Sequence, residues 1–225
     1  MRIKLKNIKN MRDLGNYPTK SGGYTKNGTF YRSDLPKNMD DEEIKKILKL
    51  NISTVIDLRT EEEVNRKPNS LNIKNIDYYN VSLLGDKCPE FEKDIPIGYM
   101  NILSNNETMR KTFKIILNAK GSVLFNCTAG KDRTGMVAML LLKLADVYDE
   151  DILVDYQISY TYLKEDIRKM HKDNPDLPAF LGESKMEYME ETLEMFNNKY
   201  GNIIDYFTNL GFSLDEILKI KSKLV

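Results

Sequence analysis

The sequence predicts one α/β domain, in which a mostly parallel sheet is flanked by helices and the chain from about residue 150 is helical. The first observation is that short β-branched segments alternate with amphipathic segments, which is the pattern of a parallel sheet covered on both faces. The second is that helical periodicity dominates the last third of the chain. The 225 residues suffice for one sizeable core or two small ones.

The N-terminal half combines short strands with one capped helix. Asp40 and Glu43 stand in the positions of a capping box before an amphipathic run, so a helix is predicted over 40–50. The segment 85–98 contains two prolines and several acidic residues, and it predicts an irregular flap. Apolar, β-branched runs bounded by turn-forming residues predict strands at 29–32, 52–58 and 76–84.

The C-terminal half supplies one more strand and several helices. The run SVLFN predicts a strand at 122–126, directly before the segment CTAGKDRTG. Ligands of parallel sheets bind beyond the carboxyl ends of the strands, so this segment is expected to lie at a binding site. Pro and Gly predict a loop at 174–182. Apolar periodicity and capping residues predict helices at 107–119, 136–145, 152–163, 186–196 and from Ser213 onward, where Glu216 completes a capping box.

Cys127 and Arg133 bracket a segment with the composition of an anion-binding loop. A loop of this length between a strand and a helix can direct backbone N–H groups inward, and the start of the helix adds its positive end. The same field favours a thiolate, so Cys127 is predicted to be a nucleophile. The planar guanidinium of Arg133 matches two phosphate oxygens.

Other residues of the loop are expected to contact a bound phosphate: Thr128, Ala129, Gly130, Lys131 and Thr134. Gly130 permits a left-handed backbone in mid-loop. Lys131 adds positive charge at the pocket rim, which favours substrates with further negative charge; the alternative is a solvated surface lysine. Thr134 is positioned to donate a hydrogen bond to the Cys127 sulfur.

Several segments together resemble the atypical bacterial tyrosine and lipid phosphatases. Residues 127–135 match the loop C-x-A-G-K-D-R-T-G of that group, and residues 10–17 match its N-x-R-D-L-G-G-Y segment with one exception. The blocks at 31–35 and 55–60, and the closing helix at 211–224, are similar in the same order. The resemblance implies a tyrosine-phosphatase-like fold over residues 1–225.

The resemblance also implies a mechanism and a substrate class. It implies a phosphocysteine intermediate without a metal or other cofactor. The implied substrates are phosphotyrosine proteins, with phosphoserine, phosphothreonine and phosphoinositides as further candidates. That group uses the aspartate of its loop as general acid, which is Asp132 here. Asp86, in the predicted flap, is the rival, because many other tyrosine phosphatases carry their acid there; Asp77 and Asp94 are weaker candidates.

Asn126 departs from the family pattern, which places His before the nucleophile. Its amide can donate a hydrogen bond but carries no charge. We expect activity to be retained, and the alternative is a pseudophosphatase that binds phosphate without hydrolysing it. A sulfurtransferase also uses a cysteine loop on a parallel sheet, but the Arg133-Thr134 pair and the resemblance along the whole chain disfavour it.

Composition argues against several other classes of protein. Lys plus Arg and Asp plus Glu both number 34, and a net charge of zero is atypical of a nucleic-acid-binding surface. No apolar run reaches membrane-spanning length and no secretion signal follows Met1, so a cytoplasmic protein without membrane insertion is expected. Two cysteines without a C-x-x-C pair, with one histidine, predict no zinc site.

Other polar residues are expected to have structural roles. Asp57 and Arg59 are expected to form an ion pair, and Arg12 and Asp13 to hold the N-terminal loop in place. Cys88 is expected to be an inert thiol. We expect His171, which follows a polar helix, to be exposed and not catalytic.

Overall fold

One five-stranded sheet is the framework of the protein. The computed structural model describes residues 1–85, 94–178 and 180–225. The strands are β1 Arg12–Asp13, β2 Phe30–Ser33, β3 Ile52–Asp57, β4 Asp77–Asn80 and β5 Ser122–Asn126. Their order in the sheet is β1-β2-β5-β3-β4, with β1 antiparallel to β2 and the other pairs parallel. The loop that follows β5 therefore leaves the middle of the sheet.

Helices cover both faces of the sheet. They are α1 Asp41–Lys49, α2 Glu61–Arg66, α3 Ile95–Leu103, α4 Asn106–Asn118, α5 Asp132–Leu144, α6 Asp149–Asp173, α7 Met186–Tyr200, α8 Ile203–Asn209 and α9 Leu214–Leu224. Side chains alternate across β5: Val123 and Phe125 enter the larger core with α5, whereas Leu124 enters a smaller core with Ile47 of α1. Residues 133–142 and Leu144 of α5 are buried, so this helix lies within the core.

The α/β class, the parallel-rich sheet and the helical C-terminal part are confirmed. The strand predicted at 122–126 has the bounds of β5, and the Ser213–Glu216 capping box is present. The strand predicted over 76–84 is shorter than expected, since β4 ends at Asn80. The short helices α2 and α8 were not predicted, and α6 extends well beyond 163.

Two predictions in the N-terminal half are wrong in part. Residues 95–98 of the predicted flap belong to α3, which Asp94 caps, and residues 86–93 lie outside the described part of the chain. Asp40 caps α1 as predicted, but Glu43 does not close a capping box there. Its carboxylate instead accepts backbone hydrogen bonds from Lys6 and Asn7, which fastens the N-terminal segment to α1.

A buried carboxylate on α6 links the edge of the sheet to the helices. Asp155 Oδ1 accepts a hydrogen bond from Arg12 Nε at 2.7 Å, and Oδ2 accepts one from Arg32 Nη1 at 2.5 Å. All three side chains are 3% exposed or less. Burial alone would raise the pKa of Asp155, but the two guanidinium groups lower it to about 2. Arg12 therefore holds the N-terminal loop, as expected.

Two other expected structural interactions are present. Asp13 accepts hydrogen bonds from the backbone of Gly15 at 2.9 Å and Gly28 at 2.7 Å, so it closes the loop between β1 and β2. Asp57 and Arg59 form a buried ion pair, with Oδ2 and Nη2 2.7 Å apart. The ion pair fixes the turn between β3 and α2.

Replacing Asp155 with Ala is expected to lower the free energy of unfolding by about 3–5 kcal/mol, because two buried guanidinium groups lose their counter-charge. Asp166, on the same helix, is a matched control because it pairs with Lys9 at the surface, where their side chains are 50% and 44% exposed. Asp166→Ala is expected to cost less than about 1 kcal/mol. Urea unfolding followed by circular dichroism measures both, and equal small losses would contradict the importance of the buried cluster.

Candidate active site

The 127–134 loop connects the end of β5 to the first turn of α5 and bends back over Cys127. Cys127 is 2% exposed, and its Sγ accepts a hydrogen bond from the Gly130 N–H at 3.2 Å. Gly130 has φ +66°, as the sequence predicted. A Cβ at Gly130 would lie 2.3 Å from the carbonyl carbon and oxygen of Ser33. Only glycine therefore allows the loop to pass so close to the end of β2.

The carbonyl groups of the loop are bonded on its outer side. Asn10 Nδ2 donates to the carbonyl oxygens of Ala129 and Gly130, both at 3.0 Å, and Arg32 Nη2 donates to that of Gly130 at 2.7 Å. In a trans peptide the N–H points opposite to the C=O. The N–H groups of Gly130 and Lys131 are therefore directed inward, which is the arrangement that binds an anion.

Arg133 is held by a carboxylate that the sequence analysis did not identify. Its Nη1 and Nη2 donate to Glu63 Oε2 at 2.5 Å and Oε1 at 3.0 Å. Thr128 Oγ1 also donates to Glu63 Oε1, at 2.6 Å, so one carboxylate joins the two ends of the loop. Burial would raise the pKa of Glu63, but the hydrogen bonds from Arg133 and Thr128 lower it to about 2.

Glu63 is fixed in its turn by the start of α2. Thr60 and Glu63 form a capping box, in which Glu63 Oε2 accepts from the Thr60 N–H at 3.0 Å. The sequence T-x-x-E directly after β3 was the signal that would have predicted this helix start. A guanidinium has five N–H donors. Glu63 accepts from two of those of Arg133, and Thr128 Oγ1 accepts from Nη2 at 3.4 Å. Within the described residues, Nε–H and one N–H on Nη1 therefore remain for other acceptors.

Asp132 lies at the exposed mouth of the loop. Its side chain is 40% exposed, and Oδ1 accepts a hydrogen bond from the Tyr99 hydroxyl. The Tyr99 and Tyr156 hydroxyl oxygens are 2.6 Å apart, so a chain of hydroxyl groups leads from α6 through α3 to Asp132. Burial, and to a smaller extent the negative charge of Asp132, raises the pKa of both tyrosines well above the ordinary value. Both hydroxyl groups therefore stay neutral and can donate. Neither tyrosine was predicted to lie at the site, because α3 was not predicted.

Lys131 turns its side chain into the protein. The side chain is 7% exposed, Nζ donates to the carbonyl oxygen of Glu183, and Nζ lies 3.3 Å from Asp132 Oδ1. The alternative of a solvated surface lysine is therefore wrong. The contribution of Lys131 to substrate binding stays a prediction, and the structure shows an ammonium group beside Asp132.

Asn126 belongs to a buried polar layer below the loop. Its Nδ2 donates to the Cys127 carbonyl oxygen at 3.4 Å, and its Oδ1 accepts from Asn69 Nδ2 at 3.1 Å. Asn69 Nδ2 also donates to Asp57 Oδ2 at 3.0 Å. Asn126 is thus connected to the Asp57 ion pair. This amide network supports the start of the loop without a charge at position 126.

The prediction for His171 is wrong, whereas those for Thr134, Asp86 and Cys88 stay open. The Thr134 hydroxyl is buried, and within residues 1–85, 94–178 and 180–225 no protein group bonds it, so its predicted donation to sulfur stays a prediction. Asp86 and Cys88 lie outside the described residues. His171 is half-buried and its Nε2 lies 2.8 Å from the Leu181 carbonyl oxygen, so the prediction of an exposed histidine is wrong.

Comparison with known proteins decides the family. The model of the tyrosine phosphatase family matches residues 3–225. The chain belongs to this family. Family membership confirms the predicted class, which is a hydrolase of phosphate esters. Among the described residues no helix is both long and apolar enough to cross a membrane.

Proteins similar to this chain include a tyrosine-protein phosphatase and an inositol diphosphatase. A tyrosine-protein phosphatase of Nostoc commune is 31% identical over 196 residues, which are 78% of this chain and 67% of that protein. The inositol diphosphatase SIW14 of Saccharomyces cerevisiae is 27% identical over 165 residues, which are 67% of this chain and 54% of that protein. The solved catalytic core of Siw14 aligns with a TM-score of 0.43 and 18% identity, over 79% of this chain and 98% of that chain.

Glu63→Gln is expected to lower stability at neutral pH and to lose this effect in acid. A carboxyl group whose pKa is about 2 when folded and about 4.3 when unfolded stabilises the folded state fully above the higher value. That contribution declines as the pH falls toward the lower value. Urea unfolding of both proteins between pH 7 and pH 3 measures the difference. Glu62→Gln, an exposed neighbour in the same turn, is the control; a Glu63 effect that is constant with pH would contradict the ion pair.

Proposed function

We propose that this protein removes phosphate from phosphotyrosine through a phosphocysteine intermediate on Cys127. Phosphoserine, phosphothreonine and phosphoinositides are further candidate substrates. The observation that carries the proposal is the 127–134 loop, in which inward N–H groups and Arg133 surround a buried cysteine. Membership of the tyrosine phosphatase family supports it.

Phosphate binding is assigned to the inner side of the loop. The inward N–H groups donate to the phosphate oxygens, together with the N–H groups of Arg133 that Glu63 and Thr128 leave unused. Because Glu63 fixes the guanidinium, Arg133 loses little side-chain entropy when phosphate binds. In the transition state negative charge is spread over the oxygens, and these preorganised donors stabilise it.

The first step transfers the phosphoryl group to sulfur. The thiolate of Cys127 attacks phosphorus, an S–P bond forms, and the P–O bond to the leaving group breaks. Asp132, in its protonated form, gives its proton to the leaving oxygen, which departs as the phenol or alcohol. The hydroxyl of Tyr99 orients the Asp132 carboxyl group at the mouth of the loop.

The second step regenerates the enzyme. A water molecule attacks the phosphocysteine, Asp132 takes one of its protons, and the S–P bond breaks to give inorganic phosphate and a thiolate. The buried Thr134 hydroxyl is available to donate a hydrogen bond to the departing sulfur. Asp132 ends the cycle protonated, so the charges and protons balance over the two steps.

Cys127→Ser tests the catalytic proposal directly. With p-nitrophenyl phosphate as substrate, Cys127→Ser is expected to abolish turnover, whereas Cys88→Ser, at the other cysteine, is expected to retain it. Orthovanadate is expected to inhibit the wild type, and thiosulfate to give no sulfur transfer. Equal rates for Cys127→Ser and the wild type would overturn the proposal, and phosphate binding without turnover in the wild type would favour the pseudophosphatase. A panel of phosphotyrosine peptide, phosphoserine peptide and soluble phosphoinositide ranks the substrates.

Asp132→Asn tests the general acid. The variant is expected to lower kcat by about 10²–10⁴-fold for an alkyl phosphate, because an alkoxide leaves poorly without a proton. The effect on p-nitrophenyl phosphate should be much smaller, since its leaving group needs little protonation. The alkaline decline of the pH–rate profile should also disappear. Asp77→Asn, at an exposed position of β4, is the control. If Asp86→Asn and not Asp132→Asn gives this pattern, the acid is Asp86.

A further inference from the structure

A pocket lies beside the 127–134 loop, between the first half of α6 and the segment that precedes α7. Its volume is about 370 Å³, which is within the range of ligand sites. Five residues of α6 and the three residues before α7 form its wall: Val154, Gln157, Ile158, Tyr160, Thr161, Glu183, Ser184 and Lys185. The wall thus combines aliphatic, hydroxyl and amide groups.

One wall residue has a hydrogen-bonding group without a partner. Ser184 is 3% exposed, and its Oγ has no hydrogen-bond partner within the described residues. Buried hydroxyl groups in folded proteins are nearly always bonded to a protein group or a water molecule. Ser184 lines the pocket, but its Oγ has almost no accessible surface, so an occupant reaches this hydroxyl group only after the side chain rotates.

The pocket is connected to the 127–134 loop through a single side chain. Lys131 Nζ donates to the carbonyl oxygen of Glu183, which lines the pocket, and it lies 3.3 Å from Asp132 Oδ1. One ammonium group therefore separates the carboxylate at the mouth of the loop from the pocket wall.

The charged groups at the pocket are already paired. Lys185 Nζ lies 2.8 Å from Glu183 Oε2, which also accepts from the Tyr188 hydroxyl at 3.0 Å. Lys131 is engaged by Asp132 and by a carbonyl group. A second phosphate of an inositol ring would need cations that are free to bind it. Peptide groups and an uncharged side chain need hydrogen-bonding groups and apolar surface instead, and the wall offers both.

The rim of the pocket exposes apolar surface. Val154 is 57% exposed and Tyr160 is 40% exposed, and both lie on α6. Together with Ile158 they give an apolar side chain of a bound polypeptide a surface to contact. Exposed aromatic and aliphatic groups next to a pocket are typical of protein interaction sites.

We propose that this pocket is a subsite for the polypeptide next to the phosphorylated residue, so that the protein prefers phosphoprotein substrates. The inference rests on the proposed function, since it places the phosphorylated residue itself in the 127–134 loop. One neighbouring residue of the substrate occupies the pocket, where the side chains of Gln157 and Thr161 offer hydrogen-bonding groups.

Thr161→Phe tests the subsite, because Thr161 is exposed on α6 and a larger side chain there fills the pocket with little effect on folding. Thr208→Phe, at an exposed position of α8, is the matched control. Thr161→Phe is expected to lower kcat/KM for a phosphotyrosine peptide by about tenfold or more. Thr161→Phe should leave kcat/KM for p-nitrophenyl phosphate unchanged. Thr208→Phe should leave kcat/KM unchanged for both substrates.

Three outcomes would overturn the subsite. Equal losses for the peptide and for p-nitrophenyl phosphate would show damage to the loop and no separate site. A loss for a soluble phosphoinositide without a loss for the peptide would assign the pocket to an inositol ring. In the Cys127→Ser background, which does not consume the peptide, equal affinity with and without Thr161→Phe for a fluorescent phosphotyrosine peptide, measured by anisotropy, would exclude peptide binding there. If the proposed function is wrong, the wild type will not hydrolyse p-nitrophenyl phosphate, which is a result distinct from the three above. The anisotropy measurement still tests the pocket in that case.

Discussion

The site depends on one constraint, which is that a loop with inward N–H groups must have its carbonyl groups bonded on the outside. Arg32 and Asn10 satisfy this constraint from β2 and from the N-terminal segment. A buried guanidinium is stable there only because Asp155 balances its charge from α6. The sheet edge, the N-terminal segment and α6 are therefore joined by the same interactions that shape the 127–134 loop.

Charge balance extends to the other side of the loop. Arg133 is neutralised by Glu63, and Arg59 by Asp57, so each of these cations has a carboxylate partner. A carboxylate bound to Arg133 weakens the net positive field at the proposed phosphate site, but it prevents the guanidinium from moving away from the loop. In the proposed mechanism the orientation gained outweighs the electrostatic attraction lost, because charge develops at defined positions in the transition state.

The parts of the structure that were predictable from the sequence have local signals. The strand β5, Gly130 and the helix after the loop follow from an apolar run, a mid-loop glycine and a second apolar run. Glu63 and Arg133 are 70 residues apart, and Lys131 and Glu183 are 52 apart. Their contacts depend on β3 lying next to β5 and on the course of the chain before α7, and neither is encoded in a short motif. The helix α2 has six mostly polar residues, so apolar periodicity does not reveal it.

Asn126 shows how the loop is supported without a histidine. In this polar layer the charge of Asp57 is already balanced by Arg59, and Asn69 joins Asp57 to Asn126 through neutral amide hydrogen bonds. A protonated histidine at position 126 would add a positive charge near Cys127, and asparagine adds none. In the proposed mechanism, the positive field at the Cys127 sulfur therefore comes from the loop N–H groups, the start of α5 and Arg133. It follows that the outer bonds of Asn10 and Arg32, which direct those N–H groups, carry a larger share of that task here.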